Sequence, residues 1–496
     1  MLFQALKDIR WTSLACLCVL SGCTAVGPNY KSPELSSADV PNKWTSRSDV
    51  PAPVSVKGAG VKETPVSWWT ELSDPVLDHM VEKAFASSPT LEAAMAKLNQ
   101  SRSLTGQANA AAGPTVDGSS GVQASGASNS RSFTQSWLSM NSSWEIDLFG
   151  AVRRGREGAL AREAAQAATL ADARVSLAAD VADAYLSYRA CQSYAALSEQ
   201  DVASREATAR LTEASVKEGF TAPYQAIRST ASVAEARTQL AATRAQCERL
   251  ENQLTRLTGI PRPELMLAMA DKPTGLERLP VPKHFDISIP RDALMQRPDI
   301  RSAERSLAAA SADIGLAEAD RYPRLTLNGD FGFTTNKGGG SGSVSFGSWS
   351  FGPSVSLPIF DGGRRKAAVE LAKSRYDEAL ADYKARIRLA IQEMEDGLTR
   401  YAAAHERAEN ARISGSEYQR FFESVEVRFR EGASNLLELE DARRSMLNAQ
   451  QTYLSVQQER LQAWIALNRA TGGGAHYASP ADTAHRSAAV DTPAPN

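Results

Sequence analysis

The sequence predicts an α+β fold in which one helix–strand–strand–long helix–helix unit occurs twice and supplies four strands per chain. Three observations predict it. Across Ser354 to Arg365 the residue period changes from two to about 3.6, the mark of a strand running into a helix. The same join occurs earlier, where Trp144 to Arg154 aligns with it so that Phe149 meets Phe360 and Arg153–Arg154 meet Arg364–Arg365. Beyond each join lies a proline-free run, from Val152 to Val216 and from Arg364 to Arg430, that reads as a helix of about 65 residues and about 100 Å.

Further anchors repeat in the same order. Ser88-Pro89-Thr90-Leu91 matches Arg297-Pro298-Asp299-Ile300, Lys217-Glu218-Gly219 matches Arg430-Glu431-Gly432, and Leu257-Thr258-Gly259 matches Ala470-Thr471-Gly472. The period of roughly 210 residues is far beyond solenoid repeats. It divides the chain into residues 67–259 and 290–471, with a connector at 260–289.

At the start, Lys7 and Arg10 precede an apolar run from Trp11 to Leu20 that is too short for a permanent membrane helix, so residues 1–22 read as a signal peptide. Leu20-Ser21-Gly22-Cys23 has the form of a bacterial lipoprotein signal in which Cys23 is acylated; an ordinary cleaved signal with an incidental cysteine is the alternative. Thr24, not an aspartate, suggests release to the outer membrane. A lipid set is only part of an anchor, so a second hold on the membrane is expected. Residues 23–66 read as a lipidated tether, since Tyr30 to Pro65 is Pro-, Ser- and Val-rich without periodicity. The last stretch, 472–496, has the composition of a disordered tail.

Once Cys16, Cys18 and Cys23 are set aside, Cys191 and Cys247 remain, each 28 residues from Gly219. If Gly219 folds two helices antiparallel, the pair sits at one height and could be bonded in an oxidising compartment; two buried free thiols are the other possibility. The balance of 55 Lys and Arg against 57 Asp and Glu gives no basic excess for nucleic acid, and no apolar run of twenty residues follows the signal.

In order, Asp74-Pro75 opens a helix expected to reach Ala112, and strands follow at 114–127 and 133–148. On the second strand Leu138, Met140, Trp144, Ile146 and Leu148 share one face against Asn141, Ser143, Glu145 and Asp147. In the second unit a helix from Pro290 to Asp320 leads to strands at 323–334 and 344–358, where Leu325, Leu327, Phe331 and Phe333 alternate with Thr326, Asn328 and Asp330. Four strands cannot close a barrel, and open edges in lipid leave backbone groups unpaired. Either several copies pool their strands, or the strands are soluble hairpins shielded by the chain's own helices. The Ala-rich long helices, with partners at about Ala222 to Thr258 and Ser434 to Ala470, suit close coiled-coil packing rather than lids.

Leu20 to Cys23, then Val26-Gly27-Pro28-Asn29-Tyr30 with Pro33, Arg297-Pro298-Asp299-Ile300-Arg301 with Ala303-Glu304, Tyr322-Pro323, and Pro358 to Gly363 together resemble the lipoprotein (NodT/OprM-like) branch of the TolC-like outer membrane efflux channels. The resemblance covers nearly the whole mature chain. It implies a homotrimer whose strands form one transmembrane β-barrel continued by a periplasmic α-helical barrel. It also implies a periplasmic adaptor and an inner-membrane pump as partners, and passive exit of drugs or other small toxic compounds. Asn141, Glu145, Asp147, Asn328 and Asp330 would then line the pore, with Trp144, Trp349, Phe331 and Phe333 toward lipid; Trp137 falls on the polar face without explanation. The periplasmic mouth would lie at Gly219 and Gly432. Glu438 and Asp441, at i and i+3 on one helix face, occupy positions matching the family's acidic constriction, Gln225 stands where the first-half copy has an acid, and Ser434 where TolC has an arginine. The alternative is three solvated acids with Glu440 paired to Arg444.

Other functions remain to be weighed. A type I protein secretion channel would use the same component, and a periplasmic coiled-coil lipoprotein scaffold would share the helices but never span the membrane. An enzyme reading has little support: the five histidines are scattered, no metal-ligand spacing or phosphate-cradling loop follows a strand, and no cofactor is implied.

Overall fold

The computed structural model describes residues 25–34, 40–45, 54–56, 67–126, 132–270, 272, 274, 275, 279, 280, 282, 285–287, 290–338 and 342–473. The expected signal peptide, Cys23 and the tail beyond residue 473 lie outside them, as do residues 339–341 in the Gly/Ser-rich run between the last two strands. The order of elements is β1 (Val54–Val56), a 3-10 turn (Trp68–Leu72), α1 (Pro75–Ser87), α2 (Pro89–Ala110), β2 (Thr115–Ser125), β3 (Phe133–Ile146), α3 (Ala151–Lys217), α4 (Pro223–Thr258), α5 (Arg262–Ala270), β4 (Phe285–Ile287), α6 (Pro290–Gln296), α7 (Pro298–Ala319), β5 (Arg324–Gly338), β6 (Ser343–Ser356), α8 (Arg364–Arg430) and α9 (Leu436–Ala470).

Both opening helices are broken where a single rod is expected. Ser88 adopts an extended backbone (φ −74°, ψ 117°) before Pro89, and in the second repeat the helix likewise stops at Gln296 and restarts at Pro298, with Arg297 between. The proline ring disfavours helix at the residue before it and is well placed at the first position of the helix it opens. The connector holds a helix of its own, α5, whose Leu265 and Met269 are buried. The presumed tether is also partly structured: β1 pairs in parallel with β4, and Thr45 donates from its backbone N–H and its hydroxyl to Glu395.

The chain forms two compact units that cut across the repeats, each taking pieces of both. One contains the described residues of the stretches 1–34, 96–167 and 302–385 and is organised by an antiparallel sheet in the order β2-β3-β5-β6. Among the described residues, its two outer strands, β2 and β6, have a neighbour on one side only.

The other unit contains the described residues of the stretches 35–95, 168–301 and 386–496. Its core is aromatic at one end, with Trp68 edge-on to Trp464 at 5.3 Å and Trp69 edge-on to Phe85 at 5.7 Å. Asp74 caps α1 by accepting from the N–H of Val76, and its carboxylate also accepts from Tyr185 and from Lys272 Nζ at 2.6 Å. Burial pushes this carboxyl up, but the bonds from Lys272 and Tyr185 outweigh it and hold the group below the usual range. Arg297 closes the α6–α7 break: it donates to the carbonyl of Ala470 at the end of α9, to Asp299 and to Glu393. Arg297 likewise overcomes the burial of Asp299 and depresses its pKa. The Arg-Pro-Asp motif thus serves as a joint satisfying a helix terminus.

Cys191 of α3 and Cys247 of α4 are joined by a disulfide, with Cα atoms 5.6 Å apart and a sequence separation of 56. Because it closes so long a loop, replacing both by serine should lower the stability of the purified protein by about 4 kcal/mol on the chain-entropy argument, read as an earlier denaturant midpoint. A midpoint that does not move would show the bond to be mechanically idle.

A depressed carboxyl pKa adds stability above the unfolded value of about 4 and loses it as pH falls through the folded value. Acid titration of tryptophan fluorescence should therefore show a loss below about pH 4 in the native protein, and Asp74→Asn should remove part of that acid-side slope while lowering stability at neutral pH.

Candidate functional site

The sheet separates two chemistries on its two faces. Residues directly opposite in the ladder share a face. One row aligns Asp117, Asn141, Asp330 and Ser350; the next comprises Thr115, Ser143, Asn328 and Gly352, and Glu145 faces Thr326 in the one after. Ser143 donates to Asn328, and Glu145 pairs with Arg324 at 3.5 Å. On the other face Met140, Phe331 and Trp349 form one row, and Trp144, Leu327 and Pro353 another. Trp349 is 79% exposed, Phe351 71% and Phe331 62%. The chain's own helices do not shield this apolar face.

Four of the five expected pore residues therefore stand on the polar face, and Asp147 does not belong to the strand. β3 ends at Ile146, and the Asp147 carboxylate accepts from the N–H groups of Val152 and Arg153, at 3.2 and 2.9 Å, as cap of α3. A helix start leaves free amides that attract an anion, which diverts the side chain from the sheet. Asp361 does the same for α8, accepting from Arg365 and Gly363, and those bonds, the Arg365 N–H first, hold its carboxyl below the usual range. The two caps come from different alignment positions. Asp117, which sequence reasoning missed because β2 has few large apolar residues to show its period, completes the acidic row. Trp137 is accounted for by Gly121 opposite it: a Cβ added there would fall 2.3 Å from the indole, so the ring lies across the glycine.

At the base of the sheet the segment from Ala25 is strapped to the first join. The Val26 N–H donates to the Phe149 carbonyl. Arg154, buried, donates to the carbonyls of Val26 and Gly27 and to Asn29 Oδ1. Gly27 has φ +84°, and a Cβ there would meet Gly315 Cα at 2.4 Å, so only glycine fits. Tyr30 OH donates to Glu304 at 2.7 Å.

The turns after α3 and α8 are made by Gly219 and Gly432, both at φ +75°. Glu438 is held within its own turn: Asn435 caps its N–H, Ser434 Oγ donates to its carboxylate at 2.6 Å, and Arg428 pairs with it at 3.3 Å. Asp441 is exposed and paired with Arg444. Glu440 does not pair with Arg444. It turns inward to Arg443, which is fully buried, and to Arg205 at 3.3 Å, while Arg205 also holds Asp201. Arg443 donates further to Thr208 and lies over the Phe422 ring at 5.4 Å. Burial raises the Asp201 pKa in spite of Arg205. Gln225 is half-buried in the first turn of α4, where its N–H donates to the Ala222 carbonyl.

An amphipathic four-stranded sheet with open edges, joined to helices of 67 residues, defines a class of protein that lines a membrane passage. The chain belongs to the outer membrane efflux protein family, whose model matches residues 80–260 and 289–473. It is 30% identical to Nodulation protein T of Rhizobium leguminosarum bv. trifolii, over 95% of this chain and 98% of that one. It is also 30% identical to the probable efflux pump outer membrane protein TtgC of Pseudomonas putida, over 96% and 97%. Among solved structures, the outer-membrane channel OprN superimposes with a TM-score of 0.78 at 29% identity, covering 90% of this chain and 99% of that one. The Campylobacter jejuni CmeC channel shares the fold with a TM-score of 0.81 at 22% identity, covering 94% and 98%. The protein is an outer-membrane efflux channel component.

The two kinds of ion pair near the second turn should respond differently to substitution. Arg443→Met leaves Glu440 and Asp201 buried with Arg205 alone and should cost about 3–5 kcal/mol. Arg444→Ala breaks an exposed pair and should cost under about 1 kcal/mol. Denaturant unfolding of the two variants checks this; equal costs would show that the buried cluster is not a structural unit.

Proposed function

We propose that the chain is the exit duct of a tripartite efflux system, in which three copies pool their strands into one twelve-stranded barrel and passage is driven by an inner-membrane pump through a periplasmic adaptor. The observation that carries the reading is the exposed apolar face from Leu138 to Trp349, continuous across the sheet and backed by a polar face. Backbone groups on β2 and β6 have no place in lipid unless another strand covers them, and a closed barrel is the arrangement that covers every one. A periplasmic scaffold would need that apolar face shielded.

The polar row of Asp117, Asn141 and Asp330, with Asn328 and Glu145 below it, lines the water-filled lumen. Glu438, Asp441 and Gln225 stand at the periplasmic mouth, where Arg428 and Arg444 balance the charges of Glu438 and Asp441. Phe220, Tyr224 and Ile227, all exposed around the first turn, supply an apolar surface for the adaptor. Residues 1–22 are removed, Cys23 carries the lipid, the barrel is the second hold on the membrane, and the Arg154 clasp ties the lipidated segment to it. No step of chemistry is involved. The cargo is small toxic compounds, as the names of relatives suggest: one is an antibiotic and another a toluene efflux pump outer membrane protein, both of Pseudomonas putida.

The face a substitution lies on should decide its effect. Trp349→Arg, toward lipid, should cost about 2–4 kcal/mol and reduce the amount of assembled channel in outer membranes. Asp330→Asn should leave assembly intact and lower the cation preference of single channels in planar bilayers. A delipidated chain that is a water-soluble monomer without conductance would end the duct reading.

A further inference from the structure

The two repeats do not bury equivalent residues. After β3, Phe149 stacks on Tyr322 with ring centroids 4.8 Å apart, at the corner that leads into the neighbouring strand β5. Arg154 lies across Gly315, where an added Cβ would meet its Nε at 2.8 Å. The twins of Phe149 and Arg154 in the second repeat, Phe360 and Arg365, follow β6, which is an edge strand. Phe360 and Ile359 are each 92% exposed. The twin of the Tyr322–Pro323 corner is Gly113–Pro114, which leads into β2, the other edge strand, and the twin of Gly315 is Gly106, with nothing within 4 Å of an added Cβ. One seam is filled within the chain, and both halves of a matching seam stand open.

We infer that a second copy of this chain fills it in one definite way. β6 pairs antiparallel with the neighbour's β2, Phe360 seats against Gly113 of the partner subunit, and Arg365 crosses Gly106 of the partner subunit. This rests on the pooled-strand reading and adds to it which residues meet. The register follows by carrying the β3–β5 seam across the repeat. There Ile146 faces Leu325, and Phe149 and Tyr322 lie in line with that pairing. Transferred, Ser354 stands opposite Ser119 of the partner subunit and Ser356 opposite Asp117 of the partner subunit.

Hydrophobic alternation gives an independent check. The register sets Phe351 against Val122 of the partner subunit and Val355 against Gly118 of the partner subunit, so the apolar face continues unbroken. A slip of one residue would turn one copy's apolar side chains to the other's polar face. A slip of two keeps the faces matched, and it is the alternative the experiment separates.

The test uses the full-length lipoprotein in outer membranes. Ser119→Cys is combined in turn with Gly352→Cys, Ser354→Cys or Ser356→Cys, and the samples are oxidised mildly and run denatured without reductant. Most cross-linked multimer should come from the Ser354→Cys pair, because directly opposite side chains reach disulfide distance and neighbours two residues along do not. A maximum at another pair, or no cross-link in a protein whose native mass is trimeric, overturns the register. A monomeric native mass overturns the pooled barrel with it. Gly106→Trp and Phe360→Ala should each leave the protomer folded and abolish the heat-resistant trimer, whereas Phe149→Ala should weaken the protomer itself. Trimers of unchanged heat resistance in both would overturn the proposed sockets.

Discussion

Everything in the sheet-bearing unit follows from backbone hydrogen bonds that one chain cannot complete by itself. A four-stranded sheet in the order β2-β3-β5-β6 satisfies its inner ladders and leaves two rows of donors and acceptors facing outward. In water those rows would be solvated. An apolar face as exposed as that around Trp349 and Phe351 belongs against hydrocarbon, where there is no such relief. The demand for closure explains the division of the strands into an oily and a wet side, and why the chain spends so few residues on covering them.

At the base of the sheet, order depends on a small number of polar contacts. Asp147 and Asp361 each turn a strand end into a helix start by accepting the first free amides, and Arg154 gathers three acceptors from the segment before residue 30. In the other unit, Asp74 and Arg297 play comparable parts, each joining separate segments of chain through one buried charge. Such sites favour a single arrangement, because a slip would strand an ion away from its partners.

The strands, the long helices and the duplication could be read because each rests on a periodicity that burial or lipid enforces over many residues. The breaks at Ser88–Pro89 and Arg297–Pro298 were within reach of the same reading, since proline rules are local. The use of Asp147 was not: its parity matches the pore side, and only the free amides of Val152 and Arg153 show where it points. The partners of Glu440 were hidden for a similar reason. Helical spacing offered both Arg443, at i+3, and Arg444, at i+4; packing against α3 buried the Arg443 side and brought Arg205 to Glu440, and a contact between segments more than two hundred residues apart leaves no mark on a local pattern. Gly121 beneath Trp137 is a case of the same kind, a cross-strand fit visible only once the register is known.

Only three residues of chain join Cys23 to the clasped Val26, and a chain spans at most about 3.6 Å per residue, so the backbone link between them is at most about 11 Å long. With the lipid proposed for Cys23, its acyl groups would enter the bilayer beside the lower rim of the strands. The clasp would then work as a depth gauge, setting the draught at which the cylinder floats and identifying which rim looks toward the cell.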